Sequence, residues 1–372
     1  MDFQHVVADD ELRTELLDRI DELTVASEGL GGESLEGLEG GPGAFGEVAP
    51  STLEVAVRRM NEGYWDAEAG DAALEAIVLR FTRPVFYVSG TELTLPTDGF
   101  ANSEVLMNRL RAASGQIAAA VPSVGRIDLA NHMNEWAGTG WIVAPDVVVT
   151  NRHVAQLFAE ASPRGGFSFR AAEGGRRVKA TVDLRREYNS ADESLVRVRE
   201  VLWIEPSDGP DVALLRVATE DEDCRALPAP VPLMTQDEVD RSLESWVVVA
   251  GYPARSPYNS LADQQRIFDG VYGVKRLAPG TVLAVTSHGQ LAHDATTLGG
   301  NSGSLVLDLM TGKAVGLHYG GIEGDRNQAV QAPIVQDRLT RLGKASGTYV
   351  HRHRLRDRLR DRLRDRLREV LK

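Results

Sequence analysis

GTGWIVAPDVVVTNRHVA, residues 138–155, holds two short β-branched runs on either side of Pro145-Asp146. Each run is too short and too branched to favour a helix, and a Pro-Asp pair between two such runs predicts a hairpin turn. Outward from it the texture continues: VKATVDL (178–184), DVALLRV (211–217), SWVVVAGYP (245–253), TVLAVTS (281–287), GSLVLDL (303–309) and AVGLHYGG (314–321). Many short strands divided by Gly, Pro and Asp predict a sandwich or barrel. The β texture begins at about Val124, and Ala332–Gly343 predicts a closing helix.

The flanks read differently. Before residue 120, four amphipathic helices are predicted: one striped by Leu12, Leu16, Ile20 and Leu23, one opened by Pro50 and the capping box Ser51-x-x-Glu54, one capped by Asp71, and one from Ser103 to Ala119. The Gly-rich residues 29–46 form a linker, and PVFYV and TELTL, across Ser89-Gly90, predict a short strand pair. The last 22 residues, 351–372, read HRHRLRDRLRDRLRDRLREVLK, with leucines at 355, 359, 363 and 367 that precess slowly around a helix. Three units are therefore expected: an acidic, mostly helical region and connector (1–120), a β domain (121–345) and a basic amphipathic helical tail (346–372).

Composition bounds the function. With 372 residues, 42% hydrophobic and 26% charged, the chain reads as globular rather than disordered, and no apolar run reaches the length of a bilayer span. Cys224 is the only cysteine, which excludes a disulfide framework. The N-terminus lacks the cationic start and apolar stretch of a secretory signal, so a cytoplasmic location is expected. The net charge of −13 is uneven: residues 1–100 hold 21 Asp and Glu against 6 Lys and Arg, whereas residues 351–372 hold 4 against 10. That balance argues against a global nucleic-acid footprint and leaves a local one at the tail.

Three polar residues at strand edges fit one chemistry. His153 follows the valine run, Asp211 opens DVALLRV, and Ser302 lies in GGNSGS. Serine attacks well only when a base removes its proton, histidine can do so near neutral pH, and a buried carboxylate fixes the tautomer and stabilises the imidazolium. Asp146, in the hairpin turn, is a rival orienter but a more solvated one. Ser304 is a rival nucleophile that lacks the preceding Gly-Gly. As the attacked carbonyl becomes an oxyanion, two backbone N–H groups must converge on it, which needs a loop of unusual dihedrals. Gly299, Gly300 and Gly303 supply that freedom, and the amides of Gly300 and Ser302 are assigned to the oxyanion hole.

GTGWIV, TNRHV, DVALL, GGNSGS and GLHYGG, in that order, resemble the trypsin-like (chymotrypsin-fold) serine proteases from about Val124 to Gly343. GGNSGS and GLHYGG are most similar to the disulfide-free bacterial members, HtrA-type proteases and glutamyl endopeptidases. The resemblance implies a mainly β fold, two six-stranded β-barrels with the His, Asp and Ser in the cleft between them, and serine endopeptidase activity through an acyl-enzyme. It implies no metal or organic cofactor. Asn301 departs from the secreted members, which carry an aspartate tied down by a freshly cut N-terminus; activation by clipping is therefore not expected.

The resemblance also implies a substrate pocket with Thr296 and Thr297 at its base and His318 and Gly320 on its wall. No carboxylate stands where a substrate Arg or Lys would need one, so a basic preference is excluded. His318 with Thr297 would donate to a substrate Glu or Asp; a neutral wall around small apolar side chains is the other reading. A protein or peptide substrate is expected, with a regulatory protein partner for residues 1–120. The tail reads as a solvated helix, or as one that binds an anionic membrane, a nucleic acid or the acidic first hundred residues. The rival function is a non-catalytic, peptide-binding scaffold on a protease fold.

Overall fold

In the computed structural model, described for residues 85–90, 92–94, 103–255, 261–322 and 326–343, antiparallel strands form the framework. The three helices expected before residue 82 and the basic tail lie outside the described residues. PVFYV and TELTL form β1 (Phe86–Ser89) and β2 (Glu92–Thr94). The fourth expected helix is two, Ser103–Ala112 and Ser114–Ala120, because Ala113 leaves helical dihedrals at φ −96° and ψ 15°. Across that break Leu106, Leu110, Ala113 and Ile117 still face one apolar cluster.

The first barrel closes in the order β10 (Ala213–Val217), β5 (Val147–Thr150), β4 (Trp136–Ala144), β3 (Val124–Ala130), β8 (Lys179–Asp183) and β9 (Leu195–Ile204). A side hairpin, β6 (Ala159–Ala161) with β7 (Phe167–Phe169), follows the short helix Arg152–Phe158. The second barrel runs β11 (Trp246–Gly251), β14 (Leu305–Asp308), β15 (Ala314–Ile322), β16 (Arg326–Gln331), β13 (Gln290–His293) and β12 (Arg276–Val285), and β12 pairs back onto β11. These are the two six-stranded barrels that the motifs led us to expect. The β1–β2 hairpin joins the second barrel through Phe86 opposite Leu277 and Tyr87 opposite Arg276.

Strict alternation of Cβ direction explains why these strands read as unbroken apolar runs. Val148, Ala213 and Leu215 point into the first barrel, while Val147, Val149 and Leu214 point out of it. In the second barrel, Val247, Val249 and Val306 face inward and Val248, Leu305 and Leu307 face outward. The outward sets meet each other, Trp141 and the Leu106–Ile117 stripe in a third core between the barrels. Both faces are therefore buried, and each Leu or Val so placed contributes about 1.5–3 kcal/mol.

Candidate active site

His153 stands in the first turn of the helix that leaves β5, and Asp211 lies two residues ahead of β10, the hydrogen-bonded neighbour of β5. Pairing of these strands brings the two residues together. The Asp211 carboxylate holds His153 twice: Oδ2 lies 2.6 Å from Nδ1, and Oδ1 accepts from the His153 amide at 3.1 Å. Asn151 Nδ2 donates to the Asp211 carbonyl at 3.0 Å and fixes its backbone. Burial raises the Asp211 carboxyl, but the His153 bonds and the Arg152 charge outweigh it and hold it below its usual range. The imidazole itself remains 46% exposed. The rival Asp146 instead faces Arg216, 3.5 Å from its Nε.

Ser302 comes from the second barrel, in the loop entering β14, and is seated against the first. Its carbonyl accepts from the Thr139 amide at 2.8 Å, and Thr139 Oγ1 donates to the Gly300 carbonyl at 3.0 Å. A Cβ placed on Gly138 would lie 2.9 Å from the Ser302 carbonyl and 3.0 Å from Val154 Cγ2, so the serine backbone and the residue after His153 flank one point. Ser302 is half-buried, whereas Ser304 is fully buried with its Oγ donating to Asn301 Oδ1 at 3.3 Å. Asn301 thus turns inward and is satisfied by a neutral hydroxyl.

Gly300 and Gly303 have φ of +83° and +88°, the left-handed region that favours glycine. The Gly299 carbonyl accepts from the Ala254 amide at 2.6 Å. Because a trans peptide points its C=O and N–H in opposite directions, this bond turns the Gly300 N–H the other way. Among the described residues, neither the Gly300 nor the Ser302 amide donates to a protein acceptor. Two backbone donors left unspent, one of them on the serine itself, are the kind of groups that a developing oxyanion would draw on.

The residues assigned to the pocket base and wall gather nearby. Thr297 is buried and its Oγ1 donates to Asn327 Oδ1 at 2.8 Å; Asn327 Nδ2 in turn donates to the Ala295 carbonyl at 2.7 Å. Thr296 beside it is half-buried, as is Gly320, where a Cβ would meet nothing within 4 Å. His318 is 2% exposed and its Nδ1 lies 3.2 Å from His293 Nε2. Burial, then the charges of His293 and His153, push His318 well below its ordinary pKa, so its ring is neutral. Sequence reasoning missed His293, Asn327, Thr139 and Ala254. GTGW carries Thr139 in plain view, but nothing in the sequence marks Ala254 as a backbone donor.

No helix among the described residues is long and apolar enough to cross a membrane. The family described as a trypsin-like peptidase domain matches residues 138–317. A protein of Lysobacter enzymogenes named as a probable serine protease is 30% identical over 75% of this chain and 77% of its own length. A glutamyl endopeptidase of Staphylococcus epidermidis is 23% identical over 54% of this chain and 59% of its own. Among solved structures, the serine endoprotease from Yersinia pestis is similar at a TM-score of 0.39 and 15% identity, covering 62% of this chain and 66% of that one. With its two barrels, and with the motifs in this order, the chain belongs to the trypsin-like serine peptidases.

Proposed function

We propose that the chain is a serine endopeptidase whose Ser302 Oγ attacks the scissile carbonyl while His153 takes the proton. Asp211 keeps Nδ1 protonated, so that Nε2 is the basic atom, and it stabilises the imidazolium that forms. The Gly300 and Ser302 amides receive the oxyanion. His153 then protonates the leaving amine, an acyl-enzyme remains on Ser302, and water admitted to the vacated side is deprotonated by the same imidazole. The observation that carries this reading is the double grip of Asp211 on His153, which fixes both ring orientation and tautomer.

The reading extends to a substrate acidic at the residue before the cut. With Nδ1 engaged by His293, the His318 ring offers Nε2 to a carboxylate, and Thr297 lines the base. A carboxylate beside the buried imidazole opposes the burial that holds it neutral. The likeness to glutamyl endopeptidases supports the same preference. Residues 1–120 and the basic tail are proposed to regulate or recruit, and a cytoplasmic location suits a fold with one cysteine and no disulfide support.

Treatment with a fluorophosphonate, followed by peptide mapping, tests the nucleophile. Label on Ser302 in the wild type and none in Ser302→Ala is expected; equal label in both would end the assignment. Matched peptides bearing Glu, Ala or Arg before the cut test the pocket. Faster turnover of the Glu peptide is expected, and a preference for Ala would assign His318 to a neutral wall.

A further inference from the structure

The bond from the Ala254 amide to the Gly299 carbonyl orients one donor of the oxyanion hole, so whatever holds Ala254 bears on catalysis. Ala254 lies just past β11, and the chain returns toward β12 at Gly273. The two ends are tied there, since the Gly273 amide donates to the Pro253 carbonyl at 2.8 Å. Gly273 is in turn anchored to the first barrel, its carbonyl accepting from Arg126 Nη1 at 3.0 Å.

Two residues later the anchoring becomes ionic and buried. Lys275 is 0% exposed; its amide donates to the Arg186 carbonyl at 2.8 Å, and its Nζ reaches the Leu184 carbonyl at 2.7 Å and Glu187 Oε1 at 3.3 Å. Glu187 Oε2 accepts from the Gly90 amide at 2.7 Å, at the turn of the β1–β2 hairpin. Beside it the Tyr188 amide donates to the Val88 carbonyl at 3.1 Å, and Tyr188 stacks on Tyr87 with centroids 3.8 Å apart. Arg276 lies over the Tyr87 ring at 3.3 Å and donates to the carbonyls of Phe268 at 2.6 Å and Val271 at 3.1 Å. Burial pulls the Lys275 ammonium down, and Glu187 opposes that shift. A buried ammonium with a single carboxylate partner is expensive to leave unpaired.

We propose that Lys275 is a positioning residue for peptide hydrolysis: braced by Glu187 and the Phe86–Thr94 hairpin, it sets the Gly273–Pro253 junction from which Ala254 aims the Gly300 amide into the oxyanion hole. The hairpin, drawn from sequence ahead of both barrels, is thereby part of the machinery that makes the serine productive. The inference rests on the Gly300–Ser302 reading of the hole. It locates control of kcat in side chains that never touch substrate.

Three variants of the full chain test it, each read below its own melting temperature. Lys275→Met removes the ammonium, Tyr87→Ala removes the ring between the hairpin and Arg276, and Glu187→Gln keeps shape while weakening the pair. The expected result is a kcat lower by about tenfold or more in Lys275→Met with KM within about twofold, since substrate binding is untouched while an oxyanion donor is misaimed. Affinity for a peptide aldehyde, whose adduct oxygen occupies the hole, falls in proportion to kcat, and Lys275→Arg restores most of both. Should Lys275→Met not fold, Glu187→Gln and Tyr87→Ala carry the same expectation at smaller size. Folded variants with lowered melting temperature but wild-type kcat and aldehyde affinity would overturn the proposal, leaving Lys275 a structural brace. Failure of the site reading looks different, because the wild-type enzyme would then not label at Ser302.

Discussion

Replacing Gly300 by alanine sets two costs against each other, and their sizes decide the phenotype. A Cβ there would lie 2.4 Å from Trp136 Cη2, 2.6 Å from the Tyr252 carbonyl oxygen and 2.9 Å from the Ala254 nitrogen, at a φ of +83°. Two of those three neighbours are backbone and cannot swing aside. Holding the native conformation therefore combines about 1–2 kcal/mol of left-handed strain with about 1–3 kcal/mol of overpacking. Turning the 299–300 peptide to negative φ leaves the Ala254 N–H without its Gly299 acceptor, a cost of about 1–3 kcal/mol. The second route is the cheaper, so the variant should fold with a small drop in melting temperature and its Gly300 N–H aimed away from the hole. Removing one such donor raises the barrier by about 2.7–4 kcal/mol, or ~10²–10³ in kcat. The assay is steady-state kcat and KM on a peptide substrate beside a melting curve, with Gly299→Ala as control, because a Cβ there meets nothing within 4 Å. A Gly300→Ala enzyme with kcat within about threefold of wild type, a barrier change well under 1 kcal/mol, would refute the reasoning.

Asp211→Asn should leave the fold intact and lower kcat by ~10⁴, since the amide offers His153 the wrong tautomer; turnover near wild type in a folded variant would remove Asp211 from the mechanism. Thr139→Val strips the Tyr252 amide of its 3.2 Å acceptor and the Gly300 carbonyl of its donor. A loss of about 1–3 kcal/mol by chemical denaturation is expected, with a fall in kcat, and an unchanged midpoint would count against the clamp. His318 sits below its ordinary 6.5 when folded, so the unfolded chain binds the extra proton first as pH falls through that value. Its contribution to stability is whole above pH 6.5 and lost below it. His318→Asn should flatten the decline of melting temperature in that window, and identical profiles would show that the histidine is not held neutral.

The strands were legible because burial on both faces writes itself as valine and leucine, and the three residues proposed for the chemistry because TNRHV, DVALL and GGNSGS are local motifs. Four barrel strands left no such trace. β9, LVRVREVLWI, turns Arg197 and Arg199 to solvent, β16 is polar, β13 spans only Gln290–His293, and β3 carries Arg126 and Asp128 side by side as an ion pair. The first half of β12 was hidden by Pro279-Gly280, a pair that reads as a turn yet continues a strand, because Gly280 lets Ala295 approach to where a Cβ would be 2.6 Å from its nitrogen. The pocket base was reached only by resemblance, and His293 escaped because a histidine inside a four-residue strand has no sequence signature. The parts proposed for Ala254 and Lys275 rest on backbone geometry and burial, which only the folded chain displays.

Thr139 belongs to a strand that is complete long before the ribosome reaches Ser302, yet it supplies the seat on which the serine loop rests. A growing polypeptide therefore carries the imidazole and carboxylate with nothing to activate, and a molecule whose later barrel has come loose carries a hydroxyl with no seat. On the roles proposed for these residues, peptide hydrolysis needs both barrels in place at once, so it should appear only when the second barrel has docked on the first and be lost when the two separate.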